Sequence, residues 1–123
     1  PRYWRFFALT KDRRLDMQPS PTESTNRITV YIDADLKQIV PTFLSNRRKD
    51  VETLRSALLG KDFDTIRTLG HRMKGDGGGY GFDRVTEIGG VMESAAIRHD
   101  HPALERQITE LEDFLSRVQV EYR

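Results

Sequence analysis

Residues 102–122 read PALERQITELEDFLSRVQVEY, and this stretch decides the fold class. Leu104, Ile108, Leu111, Leu115, Val118 and Tyr122 recur at alternating spacings of four and three. That is the period of one helix face turned toward a core. Pro102 suits the first turn, where its missing N–H is no loss, and Asp100-His101-Pro102 makes the break before it. Working back, Asp83 is a candidate cap for a helix with Val85, Ile88, Met92 and Ala96 on one side. Asp62 is a good N-cap for a helix carrying Phe63, Ile66, Leu69 and Met73. Leu36, Ile39, Val40, Phe43, Leu44, Val51, Leu54 and Leu58 also fall at helical spacings. Pro41 divides that run into a short helix and a longer one, and Gly60 stops it as a C-terminal cap. The expected fold is all-α. It is an antiparallel up-down four-helix bundle with a short extra N-terminal helix and an extended N-terminal arm.

The remaining sequence lies upstream. Residues 27–32, RITVYI, alternate like a strand. With no partner strand in view, they read as an extended lead-in lying on the core. Residues 18–26 have linker composition, and residues 1–16 are basic and aromatic, with five basic and two acidic residues plus Tyr3, Trp4, Phe6 and Phe7. Two units follow: an arm and linker over 1–26, and the bundle domain over 27–123. A length of 123 residues suits one domain.

Composition excludes several classes. Twenty basic against nineteen acidic residues leave a net charge of +1, which argues against a general nucleic-acid binder. There are no cysteines, hence no disulfide scaffold, thiolate zinc site or cysteine nucleophile. The longest apolar run, Phe6-Phe7-Ala8-Leu9, is far short of the roughly 20 residues of a membrane span. No signal-peptide pattern is seen, and a cytoplasmic domain is expected.

The chemistry concentrates in residues 70–82, GHRMKGDGGGYGF. At about 100° per residue, His71 lies roughly 155° from the centre of the Phe63, Ile66, Leu69, Met73 cluster, on the wet face. Arg67 (i−4), Lys74 (i+3), Gly75 (i+4) and Gly78 (i+7) share that face with it. An exposed imidazole between cations, with nothing bulky around it, suits an anionic group delivered by a large partner. Four helical glycines at 75, 77, 78 and 79 would cost on the order of 3–4 kcal/mol, so a plain flexible loop is the competing reading. Phosphate-loop motifs fail: Gly75 is followed by Asp76 rather than Lys, and no G-x-G-x-x-G completes. His99 and His101 have weak metal spacing and read as surface or cap residues.

The run His71-x-Met73-Lys74-Gly75-x-x-Gly78-x-Tyr80-Gly81-Phe82 resembles the signature of histidine-containing phosphotransfer (HPt) domains. The supporting bundle pattern covers residues 33–122, and the first 26 residues lie outside it. The resemblance implies a four-helix bundle whose exposed histidine carries a phosphoryl group between receiver-domain aspartates. His71 matches the phospho-acceptor, and Lys74 the lysine that holds phosphoryl oxygens or the partner. Gly75 and Gly78 match the small positions where a receiver docks. Glu93 stands where such domains place a carboxylate or amide that bonds the histidine. Chemotaxis-type relatives often carry a second histidine at the position of Gly90, so a phosphorelay-type module is favoured.

The implied function is a phosphoryl carrier rather than a kinase, since no ATP-binding boxes are present. It needs no cofactor of its own, and Mg²⁺ is expected in the partner receiver. The implied partners are a response-regulator receiver domain and a sensor or hybrid histidine kinase. Arg47, Arg48 and Lys49 would steer an acidic receiver surface or form a solvated helix face. Two alternatives stand beside it: a non-phosphorylated helical docking adaptor, and nucleic-acid or membrane binding through residues 1–16.

Overall fold

A computed structural model describes residues 26–123. Of the arm and linker expected over residues 1–26, residues 1–25, with the aromatic side chains, lie outside the described residues. The chain opens with strand β1 (Ile28–Ile32) and a 3-10 turn at Ala34–Leu36. It continues through α1 (Val40–Leu59), α2 (Phe63–Asp76), a second 3-10 turn (Gly78–Tyr80), α3 (Asp83–Ile97), α4 (His101–Arg117) and β2 (Val118–Tyr122). Short connections turn each helix back along the one before it, giving four bundled helices.

Local chemistry sets the boundaries. Pro41 stands in the first turn of α1, where no N–H is needed. The Asp62 carboxylate caps α2 by accepting from the Thr65 amide, and Asp100 caps α4 by accepting from Ala103. Asp83 lies inside the first turn of α3, and Phe82 takes the cap position without a side-chain bond. Leu54, Ile66, Ile88, Met92, Leu104 and Ile108 have no exposed surface. At about 1.5–3 kcal/mol for each large apolar side chain buried, this shared interior is the main force holding the helices together.

One part of the expected fold is corrected. The four-three stripe of the last helix stops at Arg117, and Val118–Tyr122 form a strand paired in parallel with β1. Ile28 stands opposite Val118, and Ile32 opposite Tyr122. The fold is therefore a helical bundle carrying a two-stranded parallel sheet, not purely α, and the lead-in is a paired strand. The reason is that Val118, Val120 and Tyr122 also alternate with Gln119 and Glu121. Branched and aromatic residues in that period favour a strand once a partner is available. Parallel pairing needs a long crossover, which the four helices supply.

The glycine-rich turn after α2 is pinned from one side. Tyr80 and Phe82 both stack on Phe43 of α1, with ring centroids 4.5 and 5.3 Å away. Gly81 between them has φ +89°, and a Cβ there would lie 2.5 Å from Ile32 Cδ1, so only glycine fits. The turn is thus packed structure rather than a loose loop.

Candidate functional site

His71 projects from the middle of α2. On the opposite side of the helix Ile66, Leu69, Gly70 and Met73 are buried, while the imidazole is 71% exposed. Its Nδ1 lies 3.0 Å from Glu93 Oε2 on α3. The other carboxylate oxygen, Oε1, is 3.5 Å from Lys74 Nζ, one turn beyond His71. Glu93 therefore bridges the two, with only 18% of its side chain exposed.

Electrostatics fixes the protons. The Glu93 carboxyl is held below its ordinary value chiefly by the hydrogen bond with His71; burial opposes this, and the nearby Lys74 charge adds a smaller lowering. An ionised carboxylate only accepts, so Nδ1 must carry the hydrogen and donate it. The neutral ring then keeps its lone pair on Nε2, which points away from Glu93. Because the folded value is depressed, the contact adds stability above the unfolded carboxyl value of 4.5. That contribution is lost as pH falls through the folded value.

The imidazole is open to solvent, and the glycines that follow it in the chain leave their own surroundings bare. Gly75 is exposed, and a Cβ built on it would meet nothing within 4 Å; the same holds at Gly79. At Gly78 the nearest atom to such a Cβ would be Thr86 Oγ1 at 3.6 Å, an ordinary contact. Internal packing therefore does not demand glycine at any of these positions. Arg67 is exposed one turn before His71 and adds no hydrogen bond or ion pair to the His71–Glu93–Lys74 group. At Gly90, where a chemotaxis-type histidine would stand, the Lys74 stem passes within 3.7 Å of a Cβ position.

Other flagged residues lie apart from this group. Arg47 donates to Asp50 at 2.8 Å and covers the Phe43 ring, and Arg48 donates to the Leu115 carbonyl. Both are thus tied into the bundle, and Lys49 stays exposed. His99 stacks on Phe63 with ring centroids 4.4 Å apart, and His101 opens α4.

Sequence reasoning missed the residues that bring α2 and α3 together. Gly70, Gly77 and Gly89 are buried between these helices, and Thr86 Oγ1 accepts from the Gly78 amide at 2.7 Å. A signal was present. Gly70 sits between Leu69 and Met73 on the apolar side, where an alanine would normally serve the helix better.

The family model described as "Hpt domain" matches residues 38–121. No curated protein and no solved structure matches the chain. No helix among the described residues is long and apolar enough to cross a membrane.

Proposed function

The chain belongs to the Hpt domain family, and from that premise we propose that His71 is the residue that takes up and hands on the phosphoryl group. Domains of this family are phosphocarriers in two-component phosphorelays, not catalysts, and they interact with receiver domains and histidine kinases. The observation that carries the residue assignment is the outward Nε2 beside bare glycines, with Nδ1 tied to an ionised Glu93. The proposed module spans residues 27–123, is cytoplasmic, and docks the receiver over Gly75 and Gly78. Arg67 lies at the edge of that footprint.

In the proposed step the Nε2 lone pair attacks the phosphorus of a receiver aspartyl phosphate. The Nε2–P bond forms as the P–O bond to the aspartate breaks, and the freed carboxylate stays with the receiver. The ring keeps its Nδ1 hydrogen and gains positive charge, which the Glu93 carboxylate offsets across 3.0 Å. No proton has to leave, so the carrier needs no separate base. Transfer then depends on in-line placement and on neutralising the equatorial oxygens. Lys74 supplies one cation for that purpose, and the receiver supplies the divalent metal.

The test is incubation with a phosphorylated receiver, or with a hybrid kinase and labelled ATP. Acid-labile, base-stable label on this chain is expected, and a chain that binds the receiver but takes no label would make it an adaptor instead. Two variants refine the roles. Lys74→Ala should slow transfer about tenfold, equivalent to about 1.4 kcal/mol of barrier, with unfolding unchanged. Glu93→Ala should lower reactivity about tenfold, as expected on losing a partner that orients an imidazole. Both are read by quenched-flow transfer rates, and an unchanged rate in either variant removes that residue from the site.

A further inference from the structure

We propose that Gly70 and Gly89 are positioning residues, setting the approach of α3 to α2 that allows Glu93 to reach His71. A Cβ built at Gly70 would lie 2.8 Å from the Glu93 amide nitrogen, 2.9 Å from the Gly89 carbonyl oxygen and 3.2 Å from Glu93 Cα. One built at Gly89 would lie 2.6 Å from the Lys74 amide nitrogen and 2.7 Å from the Gly70 carbonyl oxygen. Nearly all of these neighbours are backbone, which cannot rotate aside. Even alanine at either position would have to push the two helices apart.

The atoms displaced are those that carry the site. Gly70 precedes His71 and abuts the backbone of Glu93, while Gly89 abuts the backbone of Lys74. The same crossing therefore holds both residues that touch the Glu93 carboxylate. Gly77 repeats the pattern two turns along α2, where a Cβ would lie 2.6 Å from the Thr86 amide nitrogen. Together these glycines make one contact stripe along α2 and α3, with the His71–Glu93 bond at one edge. Glycine at 75 keeps the outside bare, whereas glycine at 70 and 89 serves the inside.

The helix separation is a structural claim, and only its effect on transfer rests on the proposed phosphocarrier role. The test is the nitrogen-15 spectrum of the His71 ring at about pH 8.5, above the ordinary imidazole titration. In the wild-type chain Nδ1 should appear protonated and Nε2 bare. In Gly70→Ala and Gly89→Ala both tautomers should be populated, so that the two ring shifts converge toward those of Glu93→Ala. Combining Gly70→Ala with Glu93→Ala should change the spectrum no further, and should slow transfer less than about twofold beyond Glu93→Ala alone. Gly90→Ala is the control on the same helix, because its Cβ meets only the Lys74 stem at 3.7 Å, and it should keep the wild-type spectrum. Should Gly70→Ala unfold in buffer, the spectrum is taken in trimethylamine N-oxide, which restores compact states. A folded Gly70→Ala chain with the wild-type tautomer overturns the proposal. Because the spectrum requires no phosphoryl transfer, a wild-type chain that accepts no label would refute the carrier role and leave this result standing.

Discussion

His71→Gln is expected to lose all acid-labile label from a phosphorylated receiver while keeping its helical content. The two outcomes have different physical origins. Glutamine offers an amide in place of the imidazole, and an amide nitrogen has no free lone pair with which to attack phosphorus. The fold has little at stake, because the imidazole is 71% exposed and its hydrogen bond is to Glu93 alone. A change of that kind ordinarily shifts stability by about 0.5 kcal/mol or less. Circular dichroism and a thermal melt check the fold, and gel autoradiography checks the label. Label persisting on the variant would place the acceptor elsewhere.

Gly75→Leu should have effects of opposite sign on folding and transfer. Gly75 lies in the last turns of α2 with open space where a Cβ would go. Replacing a helical glycine by leucine should stabilise the chain by about 0.5–1 kcal/mol. The same side chain stands one turn from His71, on the surface where the receiver must come close. Transfer should fall by about a hundredfold, equivalent to about 2.7 kcal/mol of barrier. Gly78→Leu should block transfer similarly without the helical gain, since Gly78 opens a 3-10 turn instead. Stopped transfer in a chain that melts higher would separate docking from folding. An unhindered rate in Gly75→Leu would mean that the receiver approaches from another side.

These contrasts show which features could be read from the sequence. The helices were legible because their apolar stripes are local. Leu104, Ile108 and Leu111 name one face of α4, and all three are fully buried. Residues 118–122 were not, because Val118 and Tyr122 satisfy both the four-three spacing and a two-residue alternation. The deciding fact is a partner strand some ninety residues away, with Ile28 opposite Val118. Pairing at that separation leaves no trace in either segment alone. The strand character of residues 28–32 was visible, but its partner was not.

The glycines divide in the same way. An exposed glycine beside His71 follows from helical geometry alone, so Gly75 was within reach. The roles of Gly70, Gly77 and Gly89 depend on which helix crosses which, and at what distance. The competing reading of a plain loop fails because Tyr80 and Phe82 anchor the turn on Phe43, another long-range contact. Arg67 shared a face with His71 in projection, but the group around Glu93 forms without it. Side-chain reach is not set by face alone.

The most direct measurement is phosphorus-31 and nitrogen-15 spectroscopy on the phosphorylated, ring-labelled chain. Because Glu93 occupies Nδ1, the phosphorus should couple to Nε2 of His71, with Nδ1 still protonated. Phosphorus coupled to Nδ1, or found on any other residue, would contradict the account.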